Sequence, residues 1–151
     1  MRSVYDAISF VAALFSSAAV TSLAGSTAVT SAYVDTKGYN SAVLVGHGDA
    51  AATNTTFTAA YTLTECATSG GSYTAANDNT GTQIGFTLNL HSAAADNVAR
   101  IEGLNVNRLR YLKVTITPAT TGGSSPTANA LAYIALGRAY ELPANTAVSN
   151  T

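Results

Sequence analysis

Apolar and polar residues alternate along much of this chain. From Thr55 to Cys66, Phe57, Ala59, Tyr61 and Leu63 fall on one side of an extended backbone, and Thr56, Thr58, Ala60, Thr62 and Thr64 fall on the other. Gln83 to Leu90 repeats the alternation with Ile84, Phe86, Leu88 and Leu90 on the apolar side, and Leu109 to Thr117 does so with Leu112, Val114 and Ile116. Period-two segments of this kind predict strands with one face in a core and the other in water. Ser41 to Gly46 is a nearly continuous apolar run, which predicts a strand buried on both faces. Ala28 to Val34, Tyr73 to Ala75, Val98 to Glu102 and the small-residue stretch Ala128 to Leu136 complete the predicted strands.

Turn chemistry separates them. Asp35-Thr36-Lys37-Gly38 predicts a turn in which Gly38 takes a positive φ, Ser69 to Ser72 and Asn77 to Gly81 read as loops, and Thr120 to Thr127 is a connection carrying Gly122, Gly123 and Pro126. The pattern predicts an all-β chain, an antiparallel β-sandwich of jelly-roll or Ig-like type with about seven to nine strands and at most one short helix. Residues 18–140 form the sandwich domain, 1–17 an N-terminal arm and 141–151 a C-terminal tail.

The N-terminal stretch carries an apolar centre from Ile8 to Phe15 and a small-x-small triplet at Ser22-Leu23-Ala24, both features of a secretory leader. Asp6 and the interruptions at Ser9, Ser16 and Ser17 argue against that reading. Val4, Ile8, Val11 and Phe15 recur at the spacing of one helical face, so the expectation is an arm, helical or extended, packed on a neighbouring molecule.

Composition sharpens the picture. The chain has 151 residues, of which 10% are charged, with 29 Ala, 22 Thr and 14 Ser. An ordinary soluble domain has about 25% charged residues. The net charge of -1 supplies no phosphate neutralisation, so no nucleic-acid partner is expected. One Cys allows neither an internal disulfide nor a thiolate cluster, and no apolar run approaches the roughly 20 residues of a membrane helix. A surface made of hydroxyls, amides and alanine near zero net charge favours association, so the chain reads as one subunit of an assembly. The expected partner contacts are Val4, Ile8, Val11 and Phe15 on the arm and Arg138 and Tyr140 at the end of the last strand.

Candidate chemistry is sparse. His47 with Asp49 and His91 with Asp96 offer metal-ligand types, yet nothing in the spacing brings three or four ligands together. Asn77 to Gly81 opens like a calcium loop but lacks the closing acidic residue, so it reads as a turn. Cys66 reads as a small, partly buried hydrophobe. Asn54-Thr55-Thr56 has the glycosylation spacing, relevant only in a eukaryotic secretory pathway. No Gly-x-Ser-x-Gly elbow occurs. No catalytic residue, metal or cofactor is expected, and the chain does not read as an enzyme. Five of the seven basic residues, Arg100, Arg108, Arg110, Lys113 and Arg138, lie between residues 100 and 138. Period two splits Arg108 and Arg110 from Lys113, so their expected role is ion pairing with acidic residues in the sheet or on a partner.

Several short motifs carry a resemblance. Val34-Asp35-Thr36-Lys37-Gly38-Tyr39-Asn40-Ser41 leads into the apolar strand at Ala42 to Val45. Arg100-Ile101-Glu102-Gly103-Leu104, Arg110-Tyr111-Leu112-Lys113-Val114 and a terminal Ala135-Leu136-Gly137-Arg138 follow in order. From about Val11 to Pro143 the chain resembles small head proteins encoded near the major capsid gene of tailed bacteriophages and prophages. It departs from their pattern between Thr62 and Ala76, where an acidic Glu-Ser-Asp-Asp-Gly turn is missing. The resemblance implies a β-sandwich virion protein without catalytic residues, a capsid decoration or cement subunit. Such a subunit would be made in the host bacterial cytoplasm, bind the major capsid protein on the capsid exterior and stabilise the head through oligomeric and arm-mediated contacts. The alternatives are a carbohydrate or host-surface binding module, such as a head fibre or adhesin domain using loop residues Tyr73, Asn77, Asp78 and Asn79, and a head-tail connector or tail subunit.

Overall fold

β-Branched and aromatic residues at alternate positions hold much of the backbone extended. The computed structural model describes residues 8–11, 21–24, 27–48, 56–90, 98–101, 104, 108–121 and 127–139, and among them there is no helix. The strands are β1 (Ile8–Val11), β2 (Thr21–Ala24), β3 (Val29–Thr30), β4 (Val34–Asp35), β5 (Tyr39–Gly48), β6 (Thr56–Cys66), β7 (Thr74–Ala75), β8 (Gly85–Asn89), β9 (Val98–Ile101), β10 (Tyr111–Thr121) and β11 (Thr127–Ala139). β3, β4 and β7 have two residues each, and the other eight have four or more.

They form an antiparallel β-sandwich. The first sheet runs β1-β11-β5-β9, with β2 beside β1 on the same partner, β11. The second runs β3-β10-β6-β7, with β4 also on β10 and β8 also on β6. Each sheet is thus built on one long central pair, β11 with β5 and β10 with β6. The short strands line the flanks end to end: β1 pairs Ile134 to Gly137 of β11, and β2 pairs Thr127 to Ala130. Short pieces of this kind blunt a sheet edge against pairing with other chains.

The core lies between the two central pairs. β6 contributes Phe57, Ala59, Tyr61 and Leu63, and β10 contributes Leu112, Val114 and Ile116, all fully buried. Opposite them stand Ala42 and Leu44 of β5 and Ala128, Ala130, Ala132, Ile134 and Leu136 of β11. The small residues of the first sheet make room for large ones on the second. A Cβ at Gly46 would lie 2.7 Å from the ring of Phe86 and 2.8 Å from that of Tyr61, and one at Gly48 would lie 2.5 Å from Leu90. Tyr61 and Phe86 stack at 4.8 Å between centroids and 21° between planes. The alanine-rich strand is therefore half of a packing arrangement in which bulk is unequally divided between the layers.

The alternation predicted for β6, β8 and β10 is present. Three local expectations are corrected. Ser41 to Gly46 is buried on one face only: Ala42, Leu44 and Gly46 point inward, while Ser41, Val43 and Val45 are partly exposed. The single strand expected over Ala28 to Val34 is split into β3 and β4 at Ser31. There the Ser31 N–H donates to the Val114 carbonyl at 2.9 Å, and the Val114 N–H donates to the Ser31 hydroxyl oxygen at 3.0 Å, so a side chain replaces a backbone carbonyl in the ladder. Finally, Ile8–Val11 is extended and pairs with β11 of its own chain, so the spacing that suits one helical face is carried here by a strand. The long flank of β11 supplies the backbone donors and acceptors that draw it in.

Gly38 has the expected positive φ, 86°. Its turn is closed by the Tyr39 N–H donating to the Thr36 carbonyl at 3.1 Å, while Asp35 accepts from the Lys37 N–H at 2.9 Å. Residues 122–126 of the expected Gly-rich connection, and the tail 141–151, lie outside the described residues.

Candidate functional site

Pairing register sorts the outward residues of the two sheets into unlike surfaces. On the first sheet Val43 sits opposite Ala135, Val45 opposite Tyr133 and His47 opposite Leu131. All except the exposed His47 are partly exposed, giving a largely apolar outer face on which Arg100 of β9 stands in register with Val45. On the second sheet Thr58, Ala60, Thr62 and Thr64 of β6 lie beside Lys113, Thr115, Thr117 and Ala119 of β10. Two of these hydroxyls bond the ladder, Thr64 donating to the Lys113 carbonyl at 3.5 Å and Thr58 to the Ala119 carbonyl at 3.4 Å, while Thr30 and Thr115 bond side chain to side chain at 2.9 Å across β3 and β10.

One end of this threonine face carries a cluster of aromatic and cationic side chains. Tyr33, 49% exposed, meets Tyr111 edge to face with centroids 5.3 Å apart and planes at 88°. The Arg110 guanidinium lies 4.8 Å over the Tyr111 ring, and the Lys113 ammonium lies 4.1 Å from the centroid of Tyr73. Tyr73 is anchored by its hydroxyl donating to the Ser69 carbonyl at 3.2 Å. Burial raises the Tyr73 phenol above its ordinary value, and the neighbouring Cys66, Tyr33 and Tyr111 push it in the same direction.

Arg110 is held in place by Asp35. Its Nε and Nη2 donate to the two carboxylate oxygens at 2.8 and 2.6 Å, a bidentate pair. The guanidinium hydrogen bond, helped by the Lys37 backbone N–H, holds the Asp35 carboxyl below its ordinary value, and Asp35 raises Arg110 in turn. At the end of the sandwich the Arg108 guanidinium approaches Glu65 at 3.8 Å, and Glu65 also accepts from the Leu109 backbone N–H at 3.1 Å. Pairing of Arg108 and Arg110 with acids of the same chain agrees with the sequence reading. The assignment of both to one strand face does not, because β10 begins only at Tyr111. Tyr33, Arg110 and Tyr111 were not singled out as a cluster by the sequence. The one legible signal was that Tyr111 and Lys113, two apart, share a strand face.

The other residues singled out are placed as follows. Val4, Phe15 and Tyr140 lie outside the described residues. Ile8 and Val11 pair in register with Gly137 and Ile134, and Arg138 lies between Gly137 and Ala139 in β11. Asp49, Asn54, His91 and Asp96 lie outside the described residues, and among the described residues no group of three or more His, Cys, Asp or Glu is placed to hold a metal ion. Asp78 belongs to a turn: its Oδ1 accepts from the Thr80 N–H and hydroxyl at 2.8 and 2.7 Å and from the Thr82 N–H at 3.0 Å. The Thr80 hydroxyl, then the two backbone donors, hold that carboxyl below its ordinary value. Cys66 is buried beneath the following turn, where a Cβ at Gly71 would lie 2.6 Å from its sulfur. No family model, curated protein or solved structure matches this chain.

Proposed function

We propose that this chain is a structural virion protein, a decoration subunit that binds the outside of a tailed-phage head as a homo-oligomer, trimeric by preference, and cements it. The observation that carries this reading is the contrast between the two outer faces: Val43, Val45, Leu131, Tyr133 and Ala135 form an apolar surface on one sheet, whereas the other presents threonine. An apolar sheet face rimmed by polar positions is the form that an interface between subunits takes. The sequence resemblance to capsid-associated head proteins supports the same reading. A cementing role calls for buried area across subunits, on the order of 1,600 Å² per interface, and for no reaction chemistry.

The test is light scattering on the full chain, followed by co-sedimentation with phage heads stripped of accessory proteins. The expected outcome is a closed oligomer that rebinds the heads at a fixed ratio to the major capsid protein. Val45→Asp on the apolar face is expected to abolish rebinding while the far-ultraviolet circular dichroism of the sandwich persists. A wild-type monomer that stays in the supernatant overturns the reading.

A further inference from the structure

The cluster at the end of the second sheet is not needed for cementing by the first sheet, and its composition calls for a ligand of its own. Three tyrosine rings meet there, with Tyr33 half exposed, Tyr111 edge-on to it and Tyr73 beneath the Lys113 ammonium. The cations are not equivalent. Arg110 is neutralised by a bidentate carboxylate, Asp35, and Arg108 faces Glu65, but among the described residues no carboxylate pairs with Lys113. A ring face attracts an ammonium without cancelling its charge. Among the described residues, then, Lys113 is a positive charge with no carboxylate partner, framed by aromatic rings, and the rows of Thr62, Thr64 and Thr115 run away from it along the face.

We propose that this cluster binds an acidic glycan, a saccharide chain bearing carboxylates, with the tyrosine rings packing on sugar C–H faces and Lys113 meeting a carboxylate. The charge complementarity sets the sign of the ligand. The surroundings set its class: tyrosine and arginine also anchor protein partners, but in desolvated pockets where threonine is under-represented, whereas here a half-exposed ring leads onto a row of threonines. A polyhydroxylated ligand with apolar ring faces matches both features. The pairing of Arg110 with Asp35 fixes the guanidinium over Tyr111, so that the ring is held in its orientation before any ligand arrives.

The experiment is titration calorimetry of the full chain with three octasaccharide probes: hyaluronate, oligosialate and neutral maltooctaose. At least one acidic probe is expected to bind at least about tenfold more tightly than maltooctaose, the difference shrinking as salt is raised. Lys113→Gln is expected to remove that preference, and Tyr33→Ala to weaken binding of the acidic probe about fivefold. Both side chains sit on the outer face, and unchanged circular dichroism and native mass will verify that the variants fold. Failure of both acidic probes to bind at millimolar concentration overturns the proposal, as does binding that neither variant changes. If instead Tyr33→Ala and Lys113→Gln abolish head binding and no glycan binds, the cluster is a protein contact and the proposal is wrong. The cementing reading is tested separately through Val45→Asp, so either can fail alone.

Discussion

The phenol of Tyr61, on β6 of one sheet, donates a hydrogen bond of 2.9 Å to the carbonyl of His47, on β5 of the other. Tyr61 is fully buried, so its hydroxyl needs a protein partner, and Gly46 next to His47 lets the ring come close enough to find one. Tyr61→Phe leaves the packing volume nearly unchanged and removes one donor to that carbonyl, with an expected cost of about 1–2 kcal/mol. Urea unfolding will read this as a lower midpoint at constant slope. Burial also raises the Tyr61 phenol above its ordinary 10.0. A raised value means that folding favours the protonated form, so its contribution is complete below pH 10 and is lost progressively as the unfolded phenol ionises above it. The Tyr61→Phe protein is therefore expected to lose less stability than wild type above pH 10. A midpoint that the substitution leaves unmoved would show that the carbonyl does not depend on this donor.

The strand faces of β6, β8 and β10 were legible because each alternates a large apolar residue with Thr, Ala, Asn or another residue suited to the surface. The apolar run of β5 was not, since Val43 and Val45 are as apolar as Leu44 and sequence cannot distinguish two-sided burial from an apolar outer face. That ambiguity coincides with the surface on which the proposed assembly rests. The break at Ser31 was hidden because a hydroxyl standing in for a ladder carbonyl leaves no periodic trace. The aromatic cluster was hidden because Tyr33, Tyr73 and Tyr111 come from three distant segments that only the pairing of β10 with β4 and β6 brings together.

Glycine at position 46 is required by contact, not by backbone conformation. Gly→Ala in a strand ordinarily gains about 0.5–1 kcal/mol from the unfolded state. At Gly46 the new methyl would meet the Phe86 and Tyr61 rings at 2.7–2.8 Å, and the Tyr61 ring is fully buried and stacked on Phe86. Gly46→Ala is expected to destabilise by about 1–3 kcal/mol. Gly70→Ala, where nothing lies within 4 Å, is the control and is expected to be neutral or slightly stabilising. Thermal melting of the two variants side by side tests the division of bulk between the layers. Equal melting temperatures would contradict it.

The Asp35–Arg110 pair makes a prediction about acid. Folding lowers the Asp35 carboxyl from its ordinary 3.8, so the contribution of the pair is present above that value and is lost as pH falls through the lower native one. Asp35 raises Arg110, so its own titration lies far from the acid limb. The two side chains are 37% and 43% exposed, and solvent screening keeps the contribution small despite the bidentate geometry. Asp35→Asn is therefore expected to lower stability slightly at pH 7 and to flatten the decline below pH 4 without abolishing it, because Asp78 is held below its ordinary value as well. Denaturant midpoints for wild type and Asp35→Asn between pH 2 and 7, at low and high salt, measure this directly. The gap between the two curves should close as pH falls and as salt rises, and a gap that widens in acid would reverse the assigned sign.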